Sequence, residues 1–155
     1  MASSKQIQQA LKIMEDAGLK LGVNWRRELS ELINDIAVRD NLTCEQVIKA
    51  AQIQTILNDD NLSTPHKRAR IKKELQRRRY PLYFLSVQEF DKQLKALNLN
   101  PKIKVKPTPF FENRKLNIEY QCEDEQELKQ IEADVEKLKQ ANLVQKAIEY
   151  VEANI

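Results

Sequence analysis

The chain has 155 residues, of which 41% are apolar and 32% are charged, and it contains only two glycines. This length accommodates one domain or two small ones, and the composition favours a helix-rich fold with few tight turns. No stretch reaches the roughly 20 consecutive apolar residues of a membrane span, and the N-terminus lacks the apolar segment of a secretory signal. We therefore expect a cytoplasmic protein without a membrane partner.

The residue types do not favour an enzyme. The chain has a single histidine, His66, and none of the glycine-rich, nucleophile-elbow or HExxH motifs that carry common chemistries. Cys44 and Cys122 are far apart and form no CxxC pair, so we expect reduced structural cysteines. We predict no catalytic residue, no metal and no cofactor.

Residues 1–62 are predicted to form a domain of three short helices. Ser3 or Ser4 is placed to cap the first helix, Asn24 the second, and Thr43 the third, in a capping box with the glutamine three residues later. Three helices with short connectors also permit a helix-turn-helix, in which 26–39 would support and 43–57 would read DNA. The proposed reader carries only one basic residue, so a plain helical bundle is the preferred interpretation.

Residues 64–81 form a strongly basic segment around which the rest of the chain is interpreted. Thr64 is a suitable N-cap, and Pro81 is placed to end the helix. Only Ile71 and Leu75 make an apolar stripe, so the helix should rest on the protein by a thin seam. One acid accompanies eight basic residues, which give the segment a charge of +7 in a chain of +3: Lys67, Arg68, Arg70, Lys72, Lys73, Arg77, Arg78 and Arg79.

This concentrated charge predicts contact with the phosphate backbone of a nucleic acid. Arginines outnumber lysines, which favours forked hydrogen bonds to phosphate. Two alternatives remain open: the helix contacts an acidic protein surface, or it is a solvated face. The acidic surface could be the protein's own residues 112–155, which contain eleven acids and six bases.

Residues 63–85 are predicted to comprise this helix and an aromatic linker. Tyr80 and Tyr83 stand near three consecutive arginines, an arrangement that suits base stacking beside phosphate contacts. The alternative is that the linker's rings pack into the core, which is the interpretation we prefer for Phe84. Of these rings, only Tyr80 is included among the predicted nucleic-acid-binding residues.

Residues 86–155 are predicted to form an α-β-β-α(-α) domain, which makes the protein mostly helical α+β. Ser86 with Glu89 should open a helix through a capping box. Alternating residues at 102–106 and 114–122 predict two strands. Asp124 should cap a helix, and a last helix should run from Ala141 to Ile155.

A two-stranded hairpin is marginally stable unless its apolar face is covered. We therefore predict a homodimer in which two hairpins join, so that two basic helices are held together. The predicted dimer contacts are apolar residues of the second strand and of the following helix: Leu116, Ile118, Tyr120, Leu128, Ile131 and Val135.

The segment 88–138 resembles the C-terminal dimerisation domain of ParB-type chromosome-partition proteins. The strand Leu116–Tyr120 reads LNIEY and the helix at Glu127–Ile131 reads ELKQI, as in that family's strand-to-helix pattern. The resemblance implies an intertwined sheet-and-helix dimer. It also implies non-specific DNA contact by lysines of this domain, here Lys102, Lys104 and Lys106, although Lys104 could instead face Glu119 across the hairpin. The family's nucleotide-hydrolysing motifs are absent, so no nucleotide-dependent clamp is implied.

Together these features predict a non-catalytic nucleic-acid-binding protein that prefers DNA to RNA. The alternatives are an adaptor or assembly subunit whose basic helix docks on an acidic protein, and an accessory subunit of a nucleic-acid enzyme.

Overall fold

The computed structural model describes residues 3–154, which form a mostly helical α+β fold with eight α-helices and one antiparallel hairpin. The chain divides into two compact units, with the boundary between Pro81 and Leu82. The basic helix is therefore part of the first unit, whereas the sequence analysis placed it in a segment of its own at 63–85. It joins the first unit because it packs on two of that unit's helices.

The first unit contains five helices: α1 (Ser4–Asp16), α2 (Val23–Asp40), α3 (Cys44–Ile48), α4 (Ala51–Leu57) and α5 (Thr64–Arg79). Ser3 caps α1 and Thr43 caps α3, both through the reciprocal bonds of a capping box, as predicted. The predicted cap at Asn24 is wrong, since α2 begins at Val23 after Gly22.

The predicted single helix at 43–57 is also wrong. Ala50 has an extended backbone (φ −55°, ψ 138°), which separates α3 from α4. The side-chain amide of Gln54 donates to the carbonyl of Ile48 at 3.0 Å and so satisfies an acceptor near the break. The proposed reading helix of a helix-turn-helix is therefore two short helices.

The basic helix α5 keeps the thin apolar seam expected of it. Ile71 and Leu75 are each only 1% exposed and belong to the core of the first unit. Its N-cap is Ser63 rather than Thr64, with proline in the first turn. The helix ends at Tyr80, whose φ and ψ of −127° and 60° leave the helical region before Pro81, as predicted.

The second unit contains α6 (Pro81–Ala96), β1 (Lys104–Pro107), a 3-10 segment (Pro109–Arg114), β2 (Leu116–Glu119), α7 (Glu125–Ala141) and α8 (Leu143–Glu152). The predicted capping box at Ser86 and Glu89 is wrong, because α6 begins five residues earlier. Ser86 is buried within the helix and donates its hydroxyl to the carbonyl of Leu82 at 3.1 Å. The predicted aromatic linker is thus helical, and the proline that ends α5 opens α6.

The hairpin pairs β1 with β2, and Lys104 lies opposite Glu119, the alternative left open for this lysine. Both strands are shorter than predicted, each with four residues. Between them, Phe110 and Phe111 have left-handed φ values of 54°. Phe111 is nevertheless buried and joins the core of the second unit with Phe90.

The two C-terminal helices cover this core. The carboxylate of Asp124 accepts from the backbone N–H of Glu127 at 2.7 Å, which confirms the predicted cap of α7. Asn142, in the left-handed region with φ 50°, separates α7 from α8. The last predicted helix thus begins at Leu143 and is described to Glu152, while Ile155 lies outside the described residues.

Candidate nucleic-acid interface

The basic residues of α5 fall into two groups in the structure. Lys67, Arg68, Lys72, Arg78 and Arg79 are half-buried, and each contacts other parts of the first unit. Arg70, Lys73 and Arg77 are exposed. We call the first group the paired cations and the second group the open stripe.

Three ion pairs connect α2 to α5: Glu28 with Lys72 at 2.5 Å, Asp35 with Arg79 at 3.1 Å, and Asp40 with Arg78 at 2.8 Å. The first two acids are seven residues apart, as are their two basic partners. Equal steps in the same direction along both helices mean that α2 and α5 run parallel where they meet. The carboxylates that partner α5 thus lie 38 to 44 residues earlier in the sequence.

Asp40, the last residue of α2, contacts two arginines: Arg39 of the same helix and Arg78 near the C-terminal end of α5. Arg39 and Arg78 both donate to its carboxylate, and the hydrogen bond from Arg39 is the main reason that the pKa of Asp40 lies below its usual range. Arg39 also donates to the carbonyl of Arg78 at 2.6 Å. The last carbonyls of a helix lack internal partners, so this guanidinium stabilises the end of α5.

Two of the paired cations, Arg68 and Lys72, lie over the ring of Trp25 in α2. The guanidinium carbon of Arg68 lies 5.5 Å from the ring centroid and the ammonium of Lys72 lies 5.4 Å from it, both within the range of cation–π attraction. Arg68 also donates to the carbonyl of Lys20 at 2.9 Å. Trp25 therefore supports α5 at its half-buried edge.

The open stripe occupies one side of α5. Its members are three and four residues apart, so they lie above one another over about 10 Å of helix length. Among residues 3–154, the charged groups of Arg70 and Lys73 have no ion-pair or hydrogen-bond partner. Arg77 pairs with Glu74 of the same helix at 2.9 Å, yet its side chain is 55% exposed.

The two tyrosines near the arginines are engaged in separate units. Tyr80 packs at the edge of the first core, and the guanidinium carbon of Arg79 lies 4.9 Å from its ring centroid. Tyr83 belongs to the second unit, where its ring centroid lies 4.5 Å from that of Phe110 and 6.1 Å from that of Phe111. Neither ring stands alone on the surface as a platform for a base.

Of the three lysines implied by the resemblance, Lys104 and Lys106 lie on β1, and Lys102 lies two residues before it. Lys102 pairs with Glu127 at 2.5 Å, and this bond is the main cause of its raised pKa. Lys104 faces Glu119, and Lys106 faces Asn117. Lys102 is thus held by a carboxylate, whereas the other two lysines stand exposed on the strand.

Four of the six predicted dimer contacts border a groove of about 520 Å³ between β2 and α7: Ile118, Tyr120, Ile131 and Val135. Ile118 is 36% exposed and Tyr120 is 47% exposed, so both leave apolar surface open at this groove. Of the other predicted contacts, Ile131 is fully buried. Three are half-buried: Leu116, Leu128 and Val135.

Sequence reasoning missed the acidic partners of the basic helix. The signal was present, because Glu28 and Asp35 repeat at seven residues and so share one face of α2. Lys72 and Arg79 repeat at the same interval. Without a known distance between the two helices, however, this match could not be told from other charge patterns.

Comparison with known protein families, with curated proteins and with solved structures finds no match to this chain. Within residues 3–154, no group of three or more His, Cys, Asp or Glu side chains is arranged to hold a metal ion. No helix in the same residues is long and apolar enough to cross a membrane.

Proposed function

We propose that the protein is a non-catalytic nucleic-acid-binding protein that contacts the phosphate backbone, preferably of DNA, through the open stripe. The observation that carries this proposal is the alignment of Arg70, Lys73 and Arg77 on one exposed side of α5. Exposed arginine and lysine side chains can release counterions from phosphate without first breaking contacts that hold the fold. Sequence-specific reading of bases is not part of the proposal.

The charge distribution supports this choice. Residues 1–81 contain fifteen Lys and Arg against ten Asp and Glu, whereas residues 82–155 contain eleven against thirteen. A positive first unit attracts a polyanion over the distance that salt screening allows, which is about 8 Å at physiological ionic strength. The open stripe would then provide the short-range contacts.

The aromatic residues favour duplex over single-stranded nucleic acid. Single-stranded binders combine basic grooves with exposed rings on which bases stack. In the first unit, Trp25 lies under Arg68 and Lys72, and Tyr80 lies beside Arg79. A duplex requires no such platform, because its phosphates are on the outside.

The second unit supports a homodimer. Among residues 3–154, both strands of the hairpin have an unpaired edge, and Ile118 and Tyr120 leave apolar surface exposed next to α7. A second copy related by twofold symmetry would cover this groove and extend the sheet. Two linked open stripes would bind one duplex with increased effective concentration.

The dimer is tested by Ile118→Glu with Lys129→Glu as the control, since Lys129 is exposed on α7. Light scattering should give a dimer for the wild type and the control, and a monomer for Ile118→Glu. A monomeric wild type at 100 μM, or a dimeric Ile118→Glu variant, would exclude this interface.

The nucleic-acid proposal is tested with R70Q/K73Q/R77Q, in which the open stripe is neutralised. The matched control is K5Q/K12Q/K20Q, which removes the same charge from exposed lysines of the first unit. Fluorescence anisotropy with labelled duplex and single-stranded DNA should show a tenfold or greater loss for the stripe variant at low salt. Its log–log salt slope should become shallower by about 0.9 for each lost phosphate contact. Equal binding by both variants, or no binding by the wild type, contradicts the proposal.

An adaptor that docks on an acidic protein is the second candidate function. The observation that favours it is that α5 already binds carboxylates of a neighbouring helix, those of α2. A protein that binds an acidic helical peptide but no duplex DNA at 50 mM salt would support this candidate over the first.

A further inference from the structure

His66 is the only histidine of the chain, and it lies in the first turn of α5. It precedes Arg70 by four residues, Lys73 by seven and Arg77 by eleven. With about 100° of rotation per residue, these spacings place His66 between Lys73 and Arg77 in the angular range of the open stripe. The imidazole therefore continues the stripe by one turn toward the N-terminus of the helix, about 6 Å along the axis from Arg70.

The ring of His66 is exposed and makes one hydrogen bond within residues 3–154. Its Nδ1 lies 2.7 Å from the hydroxyl of Ser63, the N-cap of α5. A serine hydroxyl can donate to a neutral imidazole and accept from an imidazolium, so this contact can hold the ring in either charge state. The other ring nitrogen, Nε2, is left open to a ligand.

The elements packed against α5, which are α2 and α4, present no carboxylate to His66. α4 contains no titratable residue. The carboxylates of α2 that reach α5 pair with basic residues roughly 120° to 140° around the helix from His66: Glu28 with Lys72, Asp35 with Arg79 and Asp40 with Arg78. In the connector before α5, Asp59 accepts from the backbone N–H of Asn61, and Asp60 is exposed. Neither is within ion-pair distance of the imidazole in the described part of the chain.

The charged neighbours of His66 on α5 itself are the basic residues Lys67 and Arg70, while Glu74, the one acid of the helix, pairs with Arg77. The same end of the helix favours an anion. Its first N–H groups lack internal partners, and Ser63 caps none of them with its side chain. A phosphate that Arg70 contacts would therefore meet both the imidazole and the positive end of α5.

We propose that His66 is a fourth phosphate-binding residue of this surface, and that it binds as imidazolium, so that binding of duplex DNA strengthens as the pH falls below neutral. This inference rests on the proposed function, because it requires a nucleic-acid phosphate at the open stripe. Histidine is the side chain whose charge ordinarily changes between about pH 5 and 8. When it is charged, its Nε2–H can donate a charge-assisted hydrogen bond to phosphate, which neutral imidazole makes only weakly.

The test measures binding of labelled duplex DNA by fluorescence anisotropy at pH 8.0 and at pH 5.5. The wild type should bind about tenfold more tightly at pH 5.5, and its log–log salt slope should steepen by about 0.9 through the added phosphate contact. H66Q should lose both changes. The matched control is H66Q/Q8H, which moves the only histidine to an exposed position on α1 and should behave like H66Q. H66K is charged at both pH values and should show at pH 8.0 the slope that the wild type shows at pH 5.5.

The inference is overturned if the wild type and H66Q respond equally to pH, or if H66Q/Q8H responds as the wild type does. In that case, weaker binding by R70Q/K73Q/R77Q still supports the proposed function. A wild type that binds no duplex at either pH contradicts the proposed function itself, and the inference with it. Thermal unfolding at both pH values monitors the fold. If H66Q does not fold, H66K decides the question, because a wild-type slope for H66K at pH 8.0 overturns the inference.

Discussion

The two sides of α5 have the same kinds of residue and different roles. On the side of α2, Lys72 and Arg79 are engaged with carboxylates, and Lys72 also lies over the ring of Trp25. On the open side, Arg70 and Lys73 have no such partner among residues 3–154. The difference shows that the formal charge of a helix is not the charge it offers to a ligand. In α5, part of the positive charge stabilises the first unit.

The largest expected effect is a loss of stability when the apolar seam that holds α5 to the first unit is weakened. Leu75→Ala removes a side chain that is 1% exposed, and we expect the free energy of unfolding to fall by about 2–5 kcal/mol. Urea denaturation followed by circular dichroism measures this value. Leu85→Ala, at an exposed leucine of the second unit, should cost much less. A similar loss for both variants would mean that the seam does not hold α5.

A smaller loss of stability is expected when only the basic residues facing α2 are changed, and this loss should distinguish them from the open stripe. K72Q/R78Q/R79Q removes the α5 partners of Glu28, Asp35 and Asp40, while Asp40 keeps its contact with Arg39. We expect a loss of about 1–2 kcal/mol in the free energy of unfolding, since exposed pairs contribute about 0–1 kcal/mol each. R70Q/K73Q/R77Q should change it by less than about 0.5 kcal/mol per residue. Chemical denaturation of both variants gives the comparison directly. If the second variant is the less stable one, the assignment of the two sides is reversed.

The smallest expected effect is a difference in acid sensitivity. The pKa of Asp40 is lowered in the folded state, chiefly by the hydrogen bond from Arg39, so the unfolded state binds the proton more readily. The stabilisation is therefore present above the unfolded pKa, near the ordinary aspartate value of 3.8, and is lost as the pH falls through the folded pKa. Below pH 5, the stability of Asp40→Asn should fall less steeply with pH than that of the wild type. The midpoint of urea denaturation at each pH measures this difference.

The control for the acid experiment is Asp60→Asn, an exposed acid of the first unit. It should leave the slope of stability against pH as in the wild type. The R70Q/K73Q variant should do the same, because Arg70 and Lys73 pair with no carboxylate among residues 3–154. A parallel pH profile for wild type and Asp40→Asn would show that the arginine contacts of Asp40 do not contribute to folding.

Several local features could be predicted because they depend on neighbours in sequence. The caps at Ser3, Thr43 and Asp124 use side chains that bond a backbone N–H three residues later. The opposition of Lys104 and Glu119 follows from strand alternation and hairpin closure. In each case the interaction partners lie in one helix or one hairpin.

Other predictions failed where packing overrode a local signal. Ser86 and Glu89 have the pattern of a capping box, yet Ser86 lies buried inside α6. A serine can equally bond a carbonyl four residues earlier within a helix, and it does so here with Leu82. The break at Ala50 similarly divides a segment whose apolar spacing predicts one continuous helix.

The sequence by itself determined that one helix would carry eight basic residues and rest on Ile71 and Leu75. Charge and apolar periodicity are properties of the segment alone. Only the tertiary structure decided which of these cations are free to meet a ligand. That outcome depends on Glu28, Asp35 and Asp40, which reach α5 because α2 packs parallel to it. Interactions across about 40 residues of chain depend on how helices pack, and no single segment encodes that packing.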